Sequence, residues 1–456
     1  MPELASNRMD ATTDAVSGPH PEPADVLVIG GGPAGSTVAT LLARKGWNVV
    51  MLEKARHPRF HIGESLLPMN MPILERLGVL EQVREIGVLK LGADFPNDDG
   101  HYNVFRFCNA LNPKSDFAFH VKREEFDQLL FEHARSAGAD AREAVKVERI
   151  EMDAEGRPSV VYASSPDGPL RFAPRHVLDC SGRDAFIGSK FGFKQRNRKH
   201  ASAAVFSHYA GVRRREGKDE GNISIYRHDH GWAWLIPLRD GSMSVGAVCY
   251  PEYMKTRQGD TEGFLLRTMD TIPEAAERMQ GAQRVAPVHV TGNYTYECSR
   301  MHGPGWTLVG DAYNFVDPMF SSGVYLAMHS AEQTADTVDA VLREPAREAE
   351  LQAGLRQRLD AGLDEFKWFI YRFTSPTMKE LFAHPRNVLQ VEQAVVSMLA
   401  GDVFDARPVL RRLRVFRAIY AMSALTMAPR ALRSWWQRRR QVREAVDGET
   451  LQVESR

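Results

Sequence analysis

Asp25-Val-Leu-Val-Ile-Gly-Gly-Gly-Pro-Ala-Gly-Ser36 is the stretch from which the fold is read. Val26 to Ile29 is a short apolar run rich in β-branched residues, the pattern of a buried parallel strand. Gly30, Gly32 and Gly35 follow at G-x-G-x-x-G spacing, and a helical pattern begins at once through Val38, Leu41 and Leu42. Each glycine has a mechanical purpose: a tight turn, close approach of backbone to a pyrophosphate, and close helix–strand packing. Ala34 lies inside the same loop. The helix start then offers unpaired N–H groups and the positive end of its dipole to an anion. A second strand, Asn48 to Leu52, leads to Glu53, eighteen residues past Gly35, about where the fingerprint sets an acid for a ribose hydroxyl. One glycine turn after a strand is common. Strand, turn, helix, second strand and acid in series read as a dinucleotide site.

The rest of the chain bounds that reading. At 456 residues it is too long for one simple core and suits two intimately packed domains. Apolar residues make up 43% and charged residues 25%, ordinary for a globular protein. Fifty-eight basic residues balance fifty-eight acidic ones, so no global field draws nucleic acid. The four cysteines (Cys108, Cys180, Cys249, Cys298) have no metal-ligand spacing and read as reduced core residues of a cytoplasmic protein. Residues 1–24 are rich in Pro, Ser, Asp and Thr without an apolar h-region, the composition of a disordered leader. No run reaches the length of a membrane span.

Downstream, Phe60-His-Ile-Gly-Glu-Ser-Leu-Leu-Pro68 is a loop that carries four apolar side chains, so it is expected to pack against something. Two short helical patterns follow, Met69–Leu77 and Val79–Ile86. Lys90 then falls inside the apolar run Val88–Phe95, with two readings: a solvated strand edge, the usual fate of lysine, or a partly buried amine tuned for chemistry. Strands are expected at 102–108 and 117–121. A helix over 124–137 follows Arg123, which either reaches a phosphate or ribose or is simply solvated. Strand patterns at 144–152, 160–163 and 176–179 lead to the turn Cys180-Ser-Gly182. From Ala203 to Tyr250 short strands alternate with polar turns, an antiparallel sheet covering one face of a site. Within it Trp232 and Trp234, two apart, project from one strand face, as a wall of rigid rings or as plain sheet core.

Trp306-Thr-Leu-Val-Gly-Asp311 is another buried strand run. Asp317-Pro-Met-Phe-Ser-Ser-Gly323 opens a long helix from Val324 toward Val341, so Ser321, Ser322 and Gly323 stand at free N–H groups. The position suits a small anion or a cofactor, and equally a serine N-cap. Beyond Pro345 the pattern is helical. It ends in a basic tail, Arg430–Arg443, which reads as a solvated helix packed by Trp435 and Trp436 in preference to one lying on a membrane.

With these residues in view the chain resembles the flavin-dependent halogenases, within the two-domain aromatic hydroxylase-like flavoproteins. Trp232-Ala-Trp-Leu-Ile-Pro237 matches that family's W-x-W-x-I-P motif, which sister monooxygenases lack. Gly30–Gly35 matches the FAD loop, Gly63-Glu-Ser65 the segment from flavin toward substrate, and Asp311 with Asp317-Pro318 the second FAD motif. The fold implied is α/β: a Rossmann-type FAD-binding domain over 25–342, interleaved with an antiparallel-sheet substrate domain (about 88–122 and 200–300), then a helical region over 343–456. By the same resemblance Lys90 is catalytic. Gly30, Gly32, Ala34, Gly35, Glu53, Arg123 and Asp311 hold FAD. Ser322 and Gly323 hold halide, and Trp232, Trp234, Pro318 and Phe320 wall flavin from substrate. No metal site is expected.

The activity implied uses reduced FAD, O2 and chloride or bromide to make hypohalous acid, which Lys90 directs onto an electron-rich ring. Phe320 stands where the tryptophan-using branch has a glutamate, which points to a phenolic or pyrrolic substrate, free or tethered to a carrier protein. No second G-x-G-x-x-G follows a strand, so FADH2 is expected from a separate flavin reductase. The context implied is antibiotic and other secondary-metabolite biosynthesis. Rival readings are an aromatic monooxygenase or prenyl-chain reductase, which share the FAD motifs, and a catalytically silent flavin-binding member of a biosynthetic complex.

Overall fold

A computed structural model describes residues 20–97, 100–111, 113–197, 201–292, 295–404, 406–427 and 436. The first strand, β1 (Glu22–Ile29), starts four residues before the apolar run and inside the stretch expected as leader. Its extension is held by parallel pairing of Glu22, Pro23 and Ala24 with Phe172, Ala173 and Pro174. Residues 1–19 lie outside the described residues, as does the basic tail apart from Trp436, which is exposed.

From β1 the chain turns through the glycines into α1 (Pro33–Arg44) and returns as β2 (Val49–Glu53), which pairs parallel to β1. Ten of the twelve residues of α1 are buried, because it is wedged against a later helix, Ser322–Arg343, and another at Arg123–Ser136. A crossover from β1 to a parallel neighbour requires such a packed helix. The parallel core of the main sheet runs in the order Trp306–Leu308, Gly168–Asp179, β1, β2, Asp140–Glu143. The strand Gly168–Asp179 is longer than its 176–179 core. Its first half pairs antiparallel with Pro158–Ser165, and its second half continues beside β1.

The second large sheet orders Ala203–Ala210, Met243–Cys249, Gly231–Pro237, Ile223–His228, Gly92–Pro96 and Tyr102–Arg106. Its pairs are antiparallel except where Ile223 and Ser224 run alongside Ala93 and Asp94. Between the two sheets a two-stranded ladder joins Gly87–Lys90 to Ala118–Val121, with Lys90 opposite Ala118. The helices after Pro345 close over this region: Phe382 of the helix Pro376–Ala383 meets Phe95 and Phe105 at ring-centroid distances of 5.4 and 5.3 Å. One apolar cluster therefore runs from the main sheet through the aromatic strands into the C-terminal helices. Cys180, Cys249 and Cys298 are buried and unpaired, but Cys108 is exposed, against the expectation for all four. It sits in a short 3-10 turn just past its strand, where alternation no longer sets its direction. No helix among the described residues is long and apolar enough to cross a membrane.

Candidate active site

A cavity of about 1800 Å³ opens between the two sheets. That is well beyond the roughly 300–1,000 Å³ of pockets for drug-sized ligands. It is lined along one side by Gly30, Gly32, Ala34, Glu53, Arg123 and Asp311, and at its far end by Trp232, Trp234, Pro318 and Gly323. Gly35, Ser322, Phe320 and Lys90 stand just behind this surface and do not line it.

The dinucleotide side fits its expected cofactor. Gly30 has φ +102°, and a Cβ there would lie 2.5 Å from the Cys180 carbonyl oxygen. A Cβ on Gly35 would lie 1.9 Å from the Gly30 oxygen, so Gly35 shapes the cradle from beneath and does not touch its contents. Pro33 begins α1 without any side-chain cap on its N–H groups, which leaves them to the cavity. The Glu53 carboxylate accepts from Gly31 N at 2.8 Å and Ala55 N at 2.9 Å, which fixes the loop, and it lines the cavity. Arg123 is not solvated. Its Nε and Nη2 donate to Asp127 at 2.7 and 2.9 Å, and Nη1 donates to the Ile62 carbonyl at 2.8 Å. Burial pushes the Asp311 carboxyl up to about 6, with Arg183 and Arg123 the opposing charges. A half-buried carboxyl on the cavity wall suits a ligand that brings hydroxyl donors. Ser181, Gly182 and Arg183, from the turn after the long strand, complete this side.

At the far end, Trp232 and Trp234 are buried with ring centroids 5.6 Å apart and planes tilted by 44°. Trp232 Nε1 donates to Asp317 Oδ1 at 3.1 Å, and Trp234 Nε1 donates to Ser244 Oγ at 3.1 Å. Gly246, the register partner of Trp234, makes room for the indole: a Cβ there would lie 2.2 Å from the ring. Asp317 also accepts from Met319 N at 3.1 Å and Ser202 Oγ at 2.9 Å. Its side chain thus ties the tryptophan strand to the turn that starts the long helix, a role the sequence pattern did not reveal. That helix begins at Ser322, two residues earlier than expected, and Ser321 ahead of it takes a left-handed φ of 57° with no side-chain cap. The serine N-cap reading therefore fails. A Cβ on Gly323 would meet nothing within 4 Å, so the backbone at the helix start borders open space.

Lys90 is 1% exposed, which excludes the solvated-edge reading. Its Nζ donates to Ser65 Oγ at 2.9 Å and the Leu66 carbonyl at 3.0 Å, and sits 5.3 Å from the Phe107 ring centroid. Burial without a carboxylate partner pushes its ammonium down to about 7. Nearby His120, also fully buried, is held well below its ordinary value by burial and then by the Lys90 charge. Ser65 lines the cavity, so the amine lies one side chain behind its wall. The loop 60–68 packs in part: Leu66 and Leu67 are buried, and Leu66 N donates to the Phe119 carbonyl at 3.0 Å, but Ile62 is half-buried and Phe60 stays exposed, stacked on His289. Sequence reading passed over Glu64 itself, whose Oε1 accepts from His208 Nε2 at 2.7 Å. No cluster of metal-ligating side chains occurs among the described residues.

The chain matches the FAD binding domain family over residues 23–364. It is 36% identical to a tryptophan 2-halogenase of Chondromyces crocatus over 71% of this chain, and spans 62% of that relative's length. It is 31% identical to a 1H-pyrrole-2-carbonyl-[peptidyl-carrier protein] chlorinase of Pseudomonas fluorescens, covering 70% of this chain and 76% of the relative. The myxobacterial chondrochloren halogenase CndH superposes with a TM-score of 0.75 at 29% identity, over 87% of this chain and 97% of that one. Glycine cradle, tandem tryptophans and overall likeness agree: the chain belongs to the flavin-dependent halogenases, a family of FAD-binding enzymes.

Proposed function

We propose that the protein uses reduced FAD, O2 and chloride or bromide to halogenate an electron-rich aromatic ring, with Lys90 directing the halogen. The observation that carries this reading is the Lys90 amine, buried and hydrogen-bonded to Ser65 on the cavity wall. FAD, bound in its reduced form, would supply two electrons that take O2 to the peroxide level, the oxidant that converts halide to hypohalous acid. The backbone at Ser322 and Gly323 holds halide near the flavin, and the Trp232–Trp234 wall keeps the aromatic substrate away from it. An amine near pKa 7 is half neutral at neutral pH. It can hydrogen-bond hypohalous acid or take its halogen as a haloamine. Orientation of the ring against that amine, more than raw reactivity, then sets the position substituted.

A phenolic or pyrrolic ring, free or carrier-tethered, is the substrate class we favour, because the position held by Phe320 carries no carboxylate to receive the ring proton. The pyrrole chlorinase among the relatives supports it. An indole is the second reading, favoured by the 36% identical tryptophan 2-halogenase. Reduced flavin comes from a separate reductase, and rapid reduction of the purified protein by NADPH alone would overturn that point. The deciding experiment supplies reduced FAD, O2 and bromide with a panel of phenols, pyrroles, indoles and carrier-linked forms. Mass spectrometry is expected to find a singly brominated product, and its absence across the panel removes the halogenase reading in favour of a silent flavin-binding protein.

A further inference from the structure

Halide oxidation consumes a proton, for which the tryptophan wall, the start of the long helix and Lys90 provide no donor inside the cavity. In net form, FADH2 + O2 + X⁻ + H⁺ gives FAD + HOX + H2O. One oxygen atom leaves with the halogen, the other leaves as water, and flavin and halide each give two electrons. The tryptophans, Ser322 and Gly323 carry no proton that titrates near neutrality, and Lys90 stands behind the wall.

Glu64 does line the cavity, although its side chain is only 2% exposed as a residue. Its backbone is fixed, since the Glu64 carbonyl accepts from Val121 N at 2.8 Å. His208 Nε2 donates to Oε1 at 2.7 Å, while Oε2 is buried and has no hydrogen-bond partner among the described residues. A buried carboxylate oxygen left unpaired is uncommon, and it marks a place where a proton or a donor belongs. His208, on the strand Ala203–Ala210, keeps a side-chain exposure of 12%, enough to exchange with solvent.

We propose that Glu64 and His208 form the proton donor for halide oxidation, with Oε2 the delivering atom and His208 the group that recharges it. The proton moves from His208 to Glu64 and on to the oxygen that takes the electron pair of the broken O–O bond and leaves as water, and His208 then takes a proton from water. The charged groups facing His208 are Glu64, which raises its affinity for a proton, Lys122, which lowers it, and Asp240, which raises it. His289 is a further titratable neighbour, and Phe60 packs against both imidazoles at ring-centroid distances of 6.1 and 4.2 Å. Burial lowers it, but the Glu64 carboxylate outweighs burial and leaves His208 above its ordinary value, so the donor holds its proton to higher pH than a free imidazole and empties as pH rises.

This inference rests on the halogenase reading, and the test separates the two. In histidine-labelled holoprotein, the NMR titration midpoint of His208 is expected above 6.5 and should drop in Glu64→Gln. With chemically reduced FAD and bromide, wild-type bromination should decline above that midpoint. Glu64→Gln and His208→Gln should each lower brominated product per FADH2 about 100-fold, in line with general acid contributions. FADH2 oxidation continues and ends in hydrogen peroxide, and the high-pH decline disappears from the profile. If Glu64→Gln fails to retain FAD, His208→Gln carries the same test with the carboxylate in place. Variants that keep the wild-type yield and pH profile overturn the proposal while leaving the halogenase reading intact. A wild type that brominates nothing overturns both.

Discussion

Replacing Lys90 by Met tests the physical claim behind the proposed function, because it removes an amine while preserving most of the buried bulk. In the fold the Lys90 ammonium loses its proton near 7, against an ordinary 10.5. Between those values unfolding takes up a proton, so wild-type stability should rise with pH by about 1.4 kcal/mol per pH unit from this group alone. The burden of the buried charge is full below pH 7, about 4 kcal/mol at pH 7, and gone by about pH 10.5. Against this, the variant forfeits the donor to Ser65 Oγ and the Leu66 carbonyl, a loss of roughly 2 kcal/mol that does not depend on pH. Lys90→Met is therefore expected to be about 2 kcal/mol more stable than wild type at pH 7. The advantage should shrink to nothing near pH 9 and reverse above it. Urea unfolding followed by tryptophan fluorescence at pH 7, 8, 9 and 10 measures the difference directly. The same variant should oxidise FADH2 and yield no brominated product. A stability difference that stays constant across this pH range would refute the buried-charge argument, and undiminished bromination would remove Lys90 from the chemistry.

Gly323→Ala has room for its methyl group and should fold and retain FAD, but the methyl would crowd the proposed halide position. A raised bromide requirement at unchanged flavin absorbance is expected, and an unchanged requirement would place the halide elsewhere. Trp232→Phe loses the 3.1 Å bond to Asp317, which keeps its other donors, so a destabilisation of about 1 kcal/mol is expected in the same urea assay. Its brominated yield per FADH2 should fall as the wall loosens, and a yield equal to wild type would reduce the tandem tryptophans to sheet core. Gly35→Ala should lose FAD outright, read from the visible flavin spectrum, because its methyl group overlaps the Gly30 carbonyl. Retained flavin would mean that the cradle is looser than its geometry indicates.

The dinucleotide half was legible because its determinants are local. An apolar run, three glycines and a helical period within Val26–Leu42 specify strand, turn and helix through short-range sterics and hydrogen bonds. The tandem tryptophans were legible for the same reason, since a period of two puts both rings on one strand face. The family match also rested on motifs that are contiguous in the chain. Strand limits were less legible. Glu22–Ala24 and the first half of Gly168–Asp179 are strands because partners exist for them, and no local pattern announces a partner.

Contiguous motifs sufficed for the dinucleotide fold and for the family, because both are written in neighbouring residues whose spacing carries the information. Only tertiary structure decided what each side chain experiences. Lys90 is depressed because burial among Ser65, Leu66 and Phe107, segments distant in the chain, removes it from water without supplying a carboxylate. Glu64 meets His208 across 144 residues, and Trp232 meets Asp317 across 85. Desolvation and long-range pairing are sums over everything that packs nearby, so they exist only once the chain has closed on itself.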